Sequence, residues 1–238
     1  MSSNGSPFTW RDQVYWQGRF STGDTPWELG VPSSVLLEAL GELEGLGFSV
    51  RGCSALSPGC GTASDALELV RLGARVIGVD WSELALAEAR RRYAVLQAET
   101  LTESSQLLGG QSLGSLELHQ GDFFSIQPAQ VDLVCEHTFF CAIDPSMRPQ
   151  YVQAIASWIK PRGFLVGNFF LLDKEEAATL PGLSLTKEGQ GPPFACTREA
   201  LEQLLTPYCK VIAMHPAKHP DQNRRPGMEW VCIFQRHA

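Results

Sequence analysis

Two glycines flanking a cysteine, Gly59–Cys60–Gly61, are followed by Asp65 and, nineteen residues beyond Gly61, by Asp80. Glycine at both sites permits a tight turn and lets a ligand lie against bare backbone. An acid at the place of Asp80, closing the next strand, can accept both hydroxyls of a ribose. Gly59, Cys60, Gly61 and Asp80 therefore read as a nucleoside-cofactor site. A dinucleotide fingerprint would put a third glycine where Ser64 stands, and no Gly-Lys-Ser/Thr phosphate loop occurs. No basic residue lies between Gly59 and Asp65 to balance a pyrophosphate. Asp65, in the first turn of the following helix, repels phosphate but can hold an ammonium. S-adenosylmethionine carries an ammonium, a carboxylate and a sulfonium, and no phosphate, so the charge pattern favours it over NAD.

Other candidates follow later strands. Asp122, in Gly121–Asp122–Phe123, can accept from an adenine amino group with Phe123 beside the ring; it can equally cap a helix with Phe123 and Phe124 in the core. Glu136 and His137 end a fourth strand, at the carboxyl edge where ligands of parallel sheets bind. His137 can relay a proton from a thiol or simply bond a strand end. No Lys/Asp or His/Asp base pair is evident. Cys60 or Cys141 could act as a covalent nucleophile, but neither has a partnered base in the sequence, so direct transfer is favoured. His215 and His219 have Pro216 between them and do not share a helical turn, so no metal site is expected.

These residues need a scaffold. Apolar runs at Cys53 to Leu56, Arg75 to Val79, Leu116 to His119, Val131 to Cys135, Phe164 to Phe170, Val211 to Met214 and Trp230 to Phe234 read as strands. Helices are expected from Pro32 to a Gly-rich turn at Gly41–Gly47, over Thr62 to Leu72, from Glu83, over Pro145 to Ile159, and from Thr197 to Leu205. The reading is an α/β, Rossmann-like fold: a seven-stranded, mostly parallel sheet with one antiparallel strand near the C-terminus and helices on both faces. Residues 1–47, with Trp10, Tyr15, Trp16, Phe20 and Trp27, read as a cover over the cofactor.

The 238 residues suit one domain, and 44% apolar against 19% charged residues suffices for a core. A net charge of −7 gives no basic surface for nucleic acid. No apolar run approaches the roughly 20 residues that span a bilayer, and the N-terminus carries no secretory signal pattern. Seven scattered cysteines form no disulfide framework, which suggests a reducing, cytoplasmic setting. A monomer acting on a small molecule is expected.

The sequence resembles the thiopurine methyltransferase family, which also holds thiol, thiocyanate and halide methyltransferases. The resemblance covers most of the chain. It is carried by Trp16–Gln17–Gly18–Arg19, Thr25–Pro26–Trp27–Glu28–Leu29–Gly30, Ser57 to Gly61, Gly78–Val79–Asp80–Trp81–Ser82 and Gly121 to Phe124. His137 to Ile143, then Pro145, Arg148 and Pro149, and Gly191 to Phe194 look like the thiol and halide branch more than the thiopurine branch. Ala63 stands where many members have glycine, and the 97–115 segment looks long. The resemblance implies a class I methyltransferase fold with Trp16 and Trp27 closing over S-adenosylmethionine and Trp81 in the ribose segment. It also implies Phe139, Phe140, Arg148 and Phe194 towards the acceptor, and Arg225 with Glu229 as an ion pair or pocket rim. Direct in-line transfer to a small soft nucleophile would follow. Alternatives are a larger aromatic thiol as acceptor, or a non-catalytic adenosylmethionine-binding protein.

Overall fold

From Ser54 onward each apolar run becomes a strand, because alternate side chains can be buried on both faces of one sheet. In the computed structural model, which describes residues 11–104, 112–127, 129–172, 192–194, 196–221 and 228–238, five strands run parallel. They are β1 (Ser54–Pro58), β2 (Arg75–Asp80), β3 (Ser115–Gln120), β4 (Val131–His137) and β5 (Ile159–Leu172). A two-residue strand, β6 (Cys196–Thr197), lies beside the end of β5. β8 (Glu229–Arg236) is antiparallel to both β5 and β7 (Cys209–Pro216). The path β3-β2-β1-β4-β5-β8-β7 is the expected seven-stranded sheet, with β6 as an addition off the path. Strand order reverses between β1 and β4, so a crevice opens at their carboxyl ends.

The helices are α1 (Gln13–Thr22), α2 (Ser34–Gly45), α3 (Ser64–Arg71), α4 (Glu83–Ser104), α5 (Arg148–Trp158) and α6 (Arg198–Leu205). Leu133 and Cys135 of β4 join the core formed with Leu36 and Leu43 of α2 and Leu69 and Val70 of α3. Val134 faces the opposite core, with Tyr151 and Ile155 of α5 and Leu201 of α6. That split is the two-residue period of a strand buried on both sides. No helix among the described residues is long and apolar enough to cross a membrane.

Three boundaries differ from expectation. α2 continues through Gly41 to Gly45, where a turn was expected. Burial of Val35, Leu36, Ala39, Leu40 and Leu43 outweighs one helical glycine, which costs roughly 1 kcal/mol. α2 also packs against β5 and β8, so the described part of 1–47 that reaches the crevice lies within Arg11 to Trp27. α1 was not expected at all, since it buries no residue fully. Its signals are its ends: Asp12 accepts from Tyr15 N at 2.9 Å, and Gly23 closes it at φ 70°. Finally, Pro161–Gly163 is an irregularity within β5, whose register steps from Val131–Ile159 to Leu133–Phe164. Residues 105–111, most of the 173–193 loop including Gly191, and Arg225 lie outside the described residues.

β5 meets β4 closely at Gly167, where a Cβ would collide with the Glu136 carbonyl oxygen. Gly167→Ala is expected to lower the unfolding free energy by about 1–3 kcal/mol, seen as an earlier midpoint in urea. Gly18→Ala, on α1 with nothing within 4 Å of the added methyl, should leave the midpoint unchanged or raise it slightly. Equal effects of the two substitutions would contradict this packing.

Candidate active site

The carboxyl ends of β1, β2, β3 and β4 surround a cavity of about 360 Å³. Gly59, Val79, Asp80, Trp81 and Gly121 to Phe124 form one end. Thr138, Phe139, Cys141 to Asp144, Met147, Phe170, Pro192 and Pro193 form the other, and Arg11, Trp16, Arg19, Phe20, Pro26 and Trp27 lie across it.

The glycine loop is tied to β2. Cys60 N donates to Val79 O at 3.0 Å, and Gly61 N donates to Asp80 Oδ2 at 2.9 Å. Asp80 Oδ1 accepts from Ser82 N at 2.8 Å. A carboxylate has about four lone-pair sites, so Asp80 keeps acceptor capacity towards the cavity. Burial raises its pKa, against the pull of those backbone donors. Ala63 ends the loop in the left-handed region, at φ 65°, which is the constraint that favours glycine there. Gly59 is needed for contact: a Cβ would overlap the ring of Phe139. The Cys60 thiol packs against Gly78 rather than the cavity. Burial, then the charges of Asp80 and Glu28, push its pKa well up, so it is no nucleophile.

The end of β4 is fixed by two carboxylates, and neither faces the cavity as expected. Glu136, 1% exposed, accepts from Phe139 N at 2.7 Å and Phe140 N at 2.8 Å through Oε1, while Tyr151 Oη donates to Oε2. It shapes the turn instead of touching a cofactor. His137 Nδ1 lies 2.7 Å from Asp65 Oδ2, and Ser33 N donates to Asp65 Oδ1 at 2.7 Å. A His/Asp pair therefore exists, with partners 72 residues apart in the chain. Burial alone would lower the His137 pKa, but the Asp65 charge and hydrogen bond outweigh it and raise it to about 9. The imidazole is thus held protonated at neutral pH and is no general base. Asp65 is equally committed and leaves the loop without the expected ammonium ligand.

Phe140, Arg148 and Phe194 stand behind the wall. Adjacent residues diverge, so Phe139 lines the cavity while Phe140 packs on Tyr151 and Phe169. The Arg148 guanidinium lies 4.6 Å from the Phe140 ring centroid, and its Nη2 donates to Phe194 O at 2.7 Å. Phe194 N donates to Cys141 O at 2.7 Å. Arg148 thus ties α5 to the turn rather than reaching an acceptor.

Asp122 caps a short helix by accepting from Phe124 N at 3.0 Å and also lines the cavity. Phe123 likewise belongs to both core and cavity, with Trp158 at 4.7 Å between ring centroids. In the cover, Trp27 meets Trp16 at 5.5 Å and Phe20 at 6.0 Å, and the Arg19 guanidinium lies 4.8 Å from the Trp27 ring. Gln13 Nε2 donates to Trp81 O at 2.8 Å, which moors α1 to the end of β2. Two further cavity residues, Arg11, which the sequence did not single out, and Arg19, which it showed only within the Trp16–Arg19 motif, are paired with Asp144 and Asp24. Arg92 of α4 reaches the outer side of the glycine loop, donating to Thr62 O, Thr62 Oγ1, Ser64 Oγ and Gly30 O. Its guanidinium is committed there, so it is not a pyrophosphate ligand for the cavity. The donor set suits S-adenosylmethionine: the carboxylates Asp80 and Asp122 line the cavity, and bare Gly59 lies beneath Phe139.

A family model described as thiopurine S-methyltransferase matches residues 11–234. The probable thiol methyltransferase 2 of Arabidopsis thaliana is 29% identical over 81% of this chain and 71% of its own length. Thiocyanate methyltransferase 1 of the same plant is 25% identical over 88% and 79%. The thiopurine S-methyltransferase of Vibrio parahaemolyticus is 24% identical over 88% and 90%. Among solved structures, a Burkholderia thailandensis 1,6-didemethyltoxoflavin N1-methyltransferase shares the fold, with a TM-score of 0.66, 16% identity and coverage of 95% and 87%. The magnesium protoporphyrin IX methyltransferase of Synechocystis does so with a TM-score of 0.63, 14% identity and coverage of 99% and 100%.

A histidine in the unfolded chain titrates near about 6.5, whereas His137 is raised to about 9 in the folded protein. Its contribution to stability is full below pH 6.5 and is lost as the pH rises through about 9. NMR titration of the imidazole should give a midpoint near 9, falling markedly in Asp65→Asn. A wild-type midpoint at or below about 6.5 would contradict the pair. Tyr151→Phe removes a donor from buried Glu136 and should cost about 1–3 kcal/mol in chemical denaturation; no cost would show that Glu136 is satisfied without it.

Proposed function

The chain belongs to the thiopurine S-methyltransferase family and is an S-adenosylmethionine-dependent methyltransferase, and from that premise we propose that its acceptor is a small soft nucleophile: a low-mass thiol, hydrosulfide, thiocyanate or a heavy halide. The observation that carries this is the far end of the cavity. Phe139, Cys141, Ile143, Met147 and Phe170 line it, the one carboxylate there, Asp144, is tied to Ser146 N and Arg11, and the one His/Asp pair found among the described residues stands outside it, protonated. Such a wall suits a weakly hydrated sulfur or iodide. It also suits an acceptor that needs no base. A thiol titrates near about 8.5, so a few per cent is thiolate at neutral pH, and thiocyanate and halides are anions already. Size points the same way. At about 360 Å³ the cavity is near the lower end of the roughly 300–1,000 Å³ typical for one ligand, yet it must serve cofactor and acceptor together.

The bound cofactor supplies an electrophilic methyl group on a sulfonium; the protein supplies binding, alignment and exclusion of water. In this reading Asp80 accepts from the ribose hydroxyls, Asp122 from the adenine amino group, and Phe123 packs beside the base. Trp81 borders the ribose. Trp16 and Trp27 close over the site, and Phe139, resting on Gly59, sets where the acceptor stops. Alignment of this kind can supply a large part of a rate enhancement without acid–base help. Relatives named for thiol, thiocyanate and thiopurine methylation support sulfur as the acceptor atom. Seven cysteines, none of them in a disulfide, support a reducing, cytoplasmic setting.

The experiment is an acceptor panel with isotopically labelled cofactor, read by mass spectrometry of volatile and soluble products. Thiols or hydrosulfide, thiocyanate and iodide should be methylated. Turnover of aryl thiols alone would move the assignment to a larger aromatic acceptor, and turnover of phenols or carboxylates alone would overturn it. On one enzyme, the rate with a thiol should climb with pH towards about 8.5, while iodide gives a flatter profile. Parallel profiles would point to a titrating protein base. Trp27→Ala should lower turnover by tenfold or more, by admitting water and loosening alignment, with little change in unfolding midpoint. An unchanged rate in the folded variant would remove Trp27 from the cover.

A further inference from the structure

We propose that Glu28, delivered by the cover, is the counter-charge for the ammonium of the bound S-adenosylmethionine. This rests on the reading of the cavity as that cofactor's site. The acid expected for the role, Asp65, is spent on Ser33 N and His137. Glu28 stands at the loop instead. A Cβ on Gly61 would collide with Glu28 Oε1. Thr62 N lies 3.3 Å from each Glu28 oxygen, and Thr62 Oγ1 donates to Oε2. From the other side Asp80 Oδ2 accepts from Gly61 N at 2.9 Å. Gly61 therefore sits between two carboxylates, two residues after the cavity residue Gly59, and Glu28 directly follows the cavity residue Trp27 in the chain.

Among the described residues neither carboxylate has a cationic partner. Nearby acids are paired, Asp24 with Arg19, Asp144 with Arg11 and Asp65 with His137, but none of the ion pairs found among the described residues includes Glu28 or Asp80. Arg92 approaches the same loop, with its donors directed to Thr62, Ser64 and Gly30 oxygens. Burial raises the pKa of Glu28, and the nearby Asp80 charge adds to the rise, against the Thr62 donors and the more distant His137. Two desolvated carboxylates sharing one glycine are costly until a cation arrives. The ribose hydroxyls that suit Asp80 are neutral. The cofactor's ammonium is a compact cation with three donors, and Gly61, having no Cβ, lets the Glu28 carboxylate lie against the loop backbone where that cation would meet it.

The test is calorimetric titration of wild type and Glu28→Gln with two ligands: the demethylated cofactor S-adenosylhomocysteine, and its desamino analogue, which lacks only the ammonium. The ratio of the two affinities is read, so a general weakening of the cover cancels. Wild type should prefer the amino ligand by roughly tenfold or more, as expected for a charge-assisted contact. Glu28→Gln should lose most of that preference while binding the desamino ligand within about threefold of wild type. Glu28→Asp, which retains the charge, should recover part of the preference. The same ratio in wild type and Glu28→Gln, whether both affinities fall together or neither moves, would overturn the assignment and leave Glu28 as a clamp for the cover. If wild type binds neither ligand, the cofactor reading of the cavity fails, and this inference with it.

Discussion

Between Glu136 and Phe140 the chain passes from sheet to cavity wall, and two buried carboxylates fix that passage. Asp65 grips His137 from the first turn of α3, and Glu136 gathers Phe139 N and Phe140 N beneath the Tyr151 hydroxyl. The first contact joins the helix of the glycine loop to β4. The second aims Phe139 at Gly59. Because both ends of this joint are set, the distance between the loop and the opposing wall is set as well. Charged hydrogen bonds inside a protein are strong when complete and costly when broken. The joint thus holds a narrow cavity open at a fixed width without placing a titrating group in it.

That division of labour bears on the chemistry. A site that aligns an already nucleophilic acceptor gains from rigid, dry walls and has no use for a base. The acids that line the cavity, Asp80, Asp122 and Asp144, keep backbone donors of their own, which preorganises them as acceptors. The cover is moored separately, through Gln13 to Trp81 O, Gln17 to Ser82 Oγ, and Glu28 to Thr62.

Much of this was legible in the sequence, for local reasons. Strand, glycine loop, helix, strand and Asp80 are neighbours in the chain, and their pattern of apolar runs, caps and turns gave the sheet and the cofactor end. The capped ends of α1 were visible too, but its weak apolar stripe hid it. What failed was direction and distance. Asp65 was placed correctly on α3, yet its partner lies 72 residues away, and no local pattern announces such a pair. Glu136 and His137 end a strand as the pattern predicts, but their hydrogen bonds, to Phe139 N, Phe140 N and Tyr151 for the one and to Asp65 for the other, keep both out of the cavity lining. Phe139 and Phe140 are adjacent, and only one can face the ligand. Arg148 was assigned towards the acceptor by resemblance, whereas its buried neighbours Phe140 and Phe194 make it a brace.

Three of the six tryptophans, Trp16, Trp27 and Trp81, border the cavity. Intrinsic fluorescence therefore reports directly on whether the joint frames an adenosylmethionine site. Titration with S-adenosylhomocysteine should change the emission saturably, Trp27→Phe should reduce the amplitude, and NAD at the same concentrations should leave the emission unaltered apart from its own absorbance. A saturable change with NAD and none with S-adenosylhomocysteine would contradict the account.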